Sequence, residues 1–220
     1  EFNGLLSQAI SFYGEIDSKD NNLGDKRIKA SKINLNLYKN ILTDEDLDSL
    51  VKNLNEKSTI SVDTETSSLN PLEAELIGIS FSLGPNDAYY IPLAHKNTKS
   101  LQKEKVLKKI KPILEDQSIK KVGQNIKYDF IILKRNGIEI NSLEDTMLLS
   151  YVLDAGNNRH NMDTLSELHL GHKTISYKDI VGSGKNQLNF SEVSIKEATR
   201  YAAEDADVTL RLYEILSSRV

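Results

Sequence analysis

The sequence predicts an α/β fold, a mixed five-stranded sheet flanked by helices, and three observations carry that prediction. Three strand-like segments follow one another closely, separated by turn residues. Beyond residue 100 the pattern alternates between helical and short strand-like stretches, the signature of a sheet with helices on its faces. The chain then closes on a long stretch in which Ala198, Ala202, Ala206 and Leu210 recur at helical spacing.

Taken in order, residues 1–40 read as a linker or incoming arm. An apolar patch (Leu5, Leu6, Ala9, Ile10, Phe12) is followed by a polar run over 17–29. The folded domain is expected over 41–220. Thr43, then Asp44, Glu45 and Asp46, then Leu47, Leu50, Val51 and Leu54 form a helix start whose acids complement the helix dipole. Strands are predicted at 59–64, 76–83 and 88–93, with turns at Asn70-Pro71 and Gly84-Pro85-Asn86-Asp87, giving an antiparallel meander. Next come a helix over 101–114, a strand at 121–123, a helix over 125–135, a strand near Ile138 and a helix over 144–153. The 101–114 helix has an apolar face of Leu101, Val106, Ile110 and Leu114, so the lysines from Lys99 to Lys111 read as its solvated side. Residues 156–193 read as loop with short helical turns, and the last helix covers 194–218. Asp145 is placed as the cap of the helix it opens, and Asp207, facing away from Asp205, as solvated.

Composition narrows the chemistry. In 220 residues, 39% are hydrophobic and 27% charged, enough for one globular core. No apolar run reaches membrane-spanning length and no basic leader precedes an apolar stretch, so a cytoplasmic protein without membrane contact is expected. The first residue is not methionine, which suggests a piece of something longer. The absence of cysteine removes disulfides, thiolate metal sites and cysteine nucleophiles, and the four histidines show no ligand spacing. Structural roles are expected for them. Any metal must therefore sit on oxygen, which favours Mg²⁺ or Mn²⁺. A net charge of −4 argues against tight duplex binding through a basic face. It leaves room for a phosphate held by metal ions on carboxylates.

Three segments supply such carboxylates. Asp63 and Glu65 in SVDTET lie two apart on a predicted strand and so share a face. Tyr201 and Asp205 in YAAEDADVT lie one turn apart on the last helix, and Asp129 stands in GQNIKYDF. Brought together, these groups suit phosphodiester hydrolysis with two metal ions. Gly182-Ser183-Gly184-Lys185 lacks the spacing and the following hydroxyl of a phosphate loop and is read as a loop.

Eight segments in order, DTETSSLNP, YYIPLAH, VGQNIKYD, DTMLLSYVL, RHNMDTL, HKTISY, GKNQL and RYAAEDADVTL, closely resemble the 3′→5′ proofreading exonuclease domain of bacterial family A DNA polymerases, the polymerase I group. The resemblance runs from about Thr43 to the last residue. It implies an RNase H-like fold and membership of the DEDD exonucleases, in the subtype with tyrosine, here Tyr201, ahead of the last aspartate. It further implies two Mg²⁺ or Mn²⁺ ions, Asp63 bridging both, Glu65 and Asp205 completing the first, Asp129 holding the second largely through water, and Tyr201 orienting the attacking water. Leu69 would wedge between the last two bases, Tyr177 would stack at the strand end, and Gln124, Asn125 and Arg159 would contact sugar or phosphate. Tyr177 stands where that family has phenylalanine. The implied substrate is a single-stranded or frayed DNA 3′ end, shortened by one nucleoside monophosphate at a time, and the implied partner is a polymerase domain in the parent chain. An RNA 3′-end trimming enzyme of the same superfamily and a non-catalytic polymerase module are the alternatives.

Overall fold

The computed structural model describes residues 31–220 apart from 97, 99, 185 and 186. The arm expected over 1–40 thus lies largely outside the described residues. Within its last part, Tyr38 is buried and β1 (Lys39–Asn40) pairs in parallel with β4 (Asp87–Pro92).

The meander is present: β2 (Thr59–Thr66), β3 (Leu76–Gly84) and β4 pair antiparallel in turn. β5 (Lys120–Gly123) joins the other edge of β2 in parallel, and β6 (Leu143–Asp145) joins β5 in parallel. The sheet is mixed and six-stranded in the order β1-β4-β3-β2-β5-β6, one strand more than expected because the two-residue β1 is too short to leave a pattern in sequence.

The fifth expected strand is displaced. Ile138 and Ile140 are buried as strand residues would be, yet they sit in loop and pack with the helices, while the strand follows at Leu143–Asp145. Gly137, at φ 80°, ends the preceding helix with a left-handed residue, and Ile138 N–H donates back to Leu133 O at 3.0 Å. Apolar burial and strand pairing therefore fall on different residues.

Helices α1 (Asp44–Asn55), α2 (Lys103–Glu115) and α3 (Lys127–Arg135) cover one face of the sheet through Leu47, Leu50, Leu54, Val106, Ile110, Ile132 and Leu133, against Ile60, Val62, Ile79, Phe81 and Ile91. α1 opens as its residues dictate: Thr43 Oγ1 accepts from Asp46 N at 3.2 Å, and three acids fill the first turn. α4 (Thr146–Asp154), α5 (Met162–Leu170) and α6 (Tyr177–Val181) precede the 23-residue α7 (Ile195–Ser217). The stretch expected to be mostly loop thus holds a nine-residue helix, α5, which buries Leu165 against Val208, Leu212 and Leu216 of α7.

α7 lies on the opposite side of the sheet and is buried nearly all round. Ala198, Ala202 and Ala206 let its backbone close on the strands, and Ser61 Oγ of β2 donates to Ala206 O at 2.6 Å.

Asp207 corrects the sequence reading. It is fully buried, because the 31–38 segment covers the side of α7 that faces away from Asp205. Arg211 Nε donates to its Oδ1 at 2.8 Å, and Tyr38 Oη and Asn86 N–H donate to its Oδ2 at 2.8 and 3.1 Å. A buried guanidinium, a phenol and a backbone N–H satisfy the carboxylate that an isolated helix would have left in water. Among the described residues no helix is long and apolar enough to cross a membrane.

Asp207→Ala leaves Arg211 charged and buried without its partner and is expected to cost about 3–5 kcal/mol of unfolding free energy. Lys108→Ala, on the exposed side of α2, should stay within about 0.5 kcal/mol in the same urea titration.

Candidate active site

The alternation of β2 sorts its residues between two layers. Ser61 meets α7, and Asp63 and Glu65, on the same face by the period of two, point the same way. Asp205 arrives from α7, one turn after Tyr201. Carboxylate oxygens of Asp63, Glu65 and Asp205 lie within 4.8 Å of one another.

Thr64 faces the other layer and collects the fourth acid. Its backbone N–H and Oγ1 donate to Asp129 Oδ1 of α3 at 2.9 and 2.6 Å. Asp129 is therefore fixed beside the triplet by two donors rather than gathered into it. The β2–β3 register slips between Glu65 and Thr66, a bulge that turns the strand as it leaves the site. Across from Glu65 stands Gly78, where a Cβ would come within 2.1 Å of Tyr90 Oη. That phenol, fully buried, bonds His95 Nε2 at 2.8 Å, and His95 Nδ1 lies 3.2 Å from Val193 O, so this histidine is structural as expected.

Crowding acids away from water has a clear electrostatic result. Burial, then the Asp129 charge, pushes the Glu65 carboxyl up to about 8. Burial likewise pushes Asp129 up to about 7 against the Thr64 donors, and it holds Asp63 and Asp205 far above the ordinary carboxylate range, with neighbouring acids adding to it. Two ionised carboxylates about 4 Å apart repel by roughly 4 kcal/mol at an effective dielectric of 20. One buried oxygen on Glu65 and one on Asp205 have no hydrogen-bond partner. Oxygen donors, mutual proximity and unpartnered lone pairs together fit a divalent cation of the Mg²⁺ or Mn²⁺ kind.

These groups line an open cleft of about 720 Å³. Leu69 stands on its rim, 95% exposed, on a loop tied at its base by Ser67 N–H to Glu75 O at 3.0 Å and by Arg135 to Pro71 O and Ala74 O. Tyr177, first residue of α6, is 42% exposed; its ring stacks on Phe190 at 6.2 Å and meets Tyr201 edge-on at 6.0 Å. Gln124 and Asn125 line the floor. Gln124 Nε2 donates to His160 O at 2.8 Å. Asn125 takes a left-handed backbone, φ 57°, with its N–H on Asp145 Oδ1 at 3.0 Å. Asp145 also accepts from Ile126 and Met147, so it caps α4, as expected, and pins the turn before α3. Arg159 alone is not brought in: it is exposed beside His160 and does not line the cleft.

Sequence reasoning missed other lining residues. Tyr128 Oη bonds Thr66 Oγ1 and donates to Ser68 O, both at 2.5 Å, closing the cleft wall next to Asp129. Its place directly before that acid was the available signal. Gln187, Ser67 and Ser68 also line the cleft, and nothing in their spacing marks them.

A model of 3′-5′ exonucleases, that of the DNA polymerase A type, matches residues 38–220. The chain belongs to that family. This exonuclease domain is 45% identical over 194 residues to DNA polymerase I of Rhizobium leguminosarum, which covers 79% of the chain and 19% of that protein. It is 43% identical over 185 residues to DNA polymerase I of Pseudomonas aeruginosa, covering 81% and 20%. The chain thus spans about a fifth of the length of these relatives. Among solved structures it resembles Escherichia coli RNase D, an exoribonuclease, with TM-score 0.61, 20% identity and coverage of 82% and 44%. It also resembles Brucella melitensis NrnC with bound Mg²⁺, with TM-score 0.57, 24% identity and coverage of 74% of each chain. At those identities the likeness speaks for the fold, which is the RNase H-like one expected.

The raised carboxyls set a pH dependence for this exonuclease domain. Between the ordinary carboxylate range and about 8, the folded state holds protons on Glu65 and Asp129 that the unfolded chain has released, so stability must fall as pH rises through that window. In chelator, the melting temperature is expected to decline from pH 5 to pH 8. Added Mg²⁺ should flatten or reverse the decline, because a cation takes the place of the protons.

Proposed function

We propose that this exonuclease domain removes nucleoside monophosphates from single-stranded or frayed DNA 3′ ends, with two divalent ions, Mg²⁺ or Mn²⁺, as the proofreading unit of a DNA polymerase I. The observation that carries the reading is the triplet of Asp63, Glu65 and Asp205 oxygens within 4.8 Å, with orphaned lone pairs, in a cleft open to solvent. Its relatives' name, DNA polymerase I, favours DNA over RNA and a polymerase domain as the partner in the parent chain. A cytoplasmic setting goes with that partner.

Asp63, Glu65 and Asp205 would hold the first ion, and Asp63 with Asp129 the second. Bound ions of this kind supply a water of lowered pKa and neutralise charge on the departing oxygen. The chain's own groups do the rest. Burial and the facing acids push the Tyr201 phenol well above its usual range, so it stays protonated and serves as a hydrogen-bonding handle that aims water, never as a base. Thr64 keeps one Asp129 oxygen engaged and so fixes how the other faces the cleft.

The substrate end is gripped by apolar surface. Leu69 holds an exposed isobutyl group on a tied loop and Tyr177 offers the free face of a ring whose other face rests on Phe190, two preformed stacking positions for unpaired bases. In a duplex the terminal bases stay paired and stacked on their neighbours, out of reach of Leu69 and Tyr177, so a frayed end is the form that enters. Gln124 and Asn125, which line the cleft, lie where sugar and phosphate would pass.

Asp63→Ala, with an unchanged circular dichroism spectrum, is expected to lose at least about a hundred-fold of its activity on a single-stranded DNA oligomer with Mg²⁺. Retained activity sinks the reading. Parallel DNA and RNA oligomers of one sequence should favour DNA, the opposite preference pointing to RNA trimming. Mg²⁺ at a hundred times its dissociation constant should add about 2.7 kcal/mol of stability to the wild type and far less to Asp63→Ala.

A further inference from the structure

Glu204 precedes Asp205 on α7, yet its side chain turns the other way and is fully buried. A buried carboxylate needs donors, and two come from one short segment. His172 Nε2 donates to Oε1 and Ile175 N–H to Oε2, each at 2.7 Å. The same segment is fastened to α5 by Ser166 Oγ donating to His172 O at 2.8 Å and Thr174 Oγ1 donating to Asp163 Oδ1 at 2.7 Å. It runs from Gly171, the left-handed C-cap of α5, to Ser176, the N-cap of α6, and the next residue is Tyr177.

α6 has only five residues and cannot fix its own direction. Tyr177 rests on Phe190 and Tyr201 on one side, so its height over the cleft is set by the segment that delivers it. Glu204 thereby links the two sides of the site. One residue of α7 holds the segment that carries the stacking ring, and the adjoining residue belongs to the acid cluster. We infer that His172 and Glu204 are a positioning pair that sets Tyr177 at stacking height over the substrate's 3′ end, registered against the α7 turn that bears Asp205. The inference rests on the reading of Tyr177 as a substrate-gripping ring.

The expected signature is a defect in KM that passes through Tyr177. On a single-stranded DNA oligomer, Tyr177→Ala should raise KM about ten-fold and His172→Ala about five-fold, kcat changing less than two-fold, because loss of base stacking is a loss of binding. His172→Gln keeps a side-chain N–H for Glu204 and should recover most of the loss. In the Tyr177→Ala background, His172→Ala should raise KM no further. A merely structural role would instead lower the melting temperature and add its effect in both backgrounds. Should His172→Ala not fold, Glu204→Gln replaces it in the same cycle. It keeps the volume and an acceptor for Ile175 while putting an amide N–H in place of the oxygen that faces His172, and the same two outcomes decide. An unchanged KM in His172→Ala beside a raised one in Tyr177→Ala, or equal His172 effects with and without the ring, overturns the pairing and leaves the grip intact. A wild-type KM in Tyr177→Ala overturns the grip and the pairing with it.

Discussion

Everything at the site depends on how closely α7 lies against β2. Small side chains at Ala198, Ala202 and Ala206 and the hydroxyl of Ser61 on Ala206 O set that distance. Bulkier residues would push the helix outward and carry Asp205 away from Asp63 and Glu65. The contact also explains why α7 is buried on nearly every side: a helix pressed this tightly on a sheet must satisfy its polar groups within the protein. Asp207 does so through Arg211, Tyr38 and Asn86, and Glu204 through His172 and the Ile175 N–H. Three acids within four residues of one helix thus face three surroundings: the cleft, the delivering segment before α6, and the 31–38 segment.

The acid cluster works against folding and for chemistry. Burial, with repulsion of roughly 4 kcal/mol between any two ionised neighbours, keeps protons on these carboxyls, and the apolar layers on both faces of the sheet hold them together, which gives the site its appetite for cations. Thr64 tempers that strain by satisfying Asp129 with two donors, and the Gln124–Asn125 turn is stabilised from behind by Asp145. Leu69, on a loop tied by Arg135, and Tyr177, resting on Phe190, keep exposed surface that only a binding partner would relieve.

Much of this was legible in the chain. Period-two alternation placed Asp63 and Glu65 together, and helical spacing paired Tyr201 with Asp205, because both inferences need only local geometry. The meander and the helices on either side followed from turns and apolar stripes. What failed was non-local. Asp207 looked solvated because its cover comes from a segment far away in sequence. Ile138 looked like a strand because burial against helices and burial within a sheet leave the same apolar mark. Gln187 and the Glu204–His172 pair carry no pattern of their own and gain meaning only from what folds beside them. Arg159 entered by resemblance alone, and it is exposed and outside the residues that line the cleft.

The closeness of Tyr90 Oη to the position above Gly78 has an implication for how such a site can vary. Opposite Glu65 the sheet has room for a phenol from β4 or a side chain on β3, never both. A single substitution at either position meets a collision or leaves a void, so the pair is passable only in step. Two residues outside the cleft lining thereby act as one unit, and altering Gly78 alone would press a side chain into the floor beneath the acids.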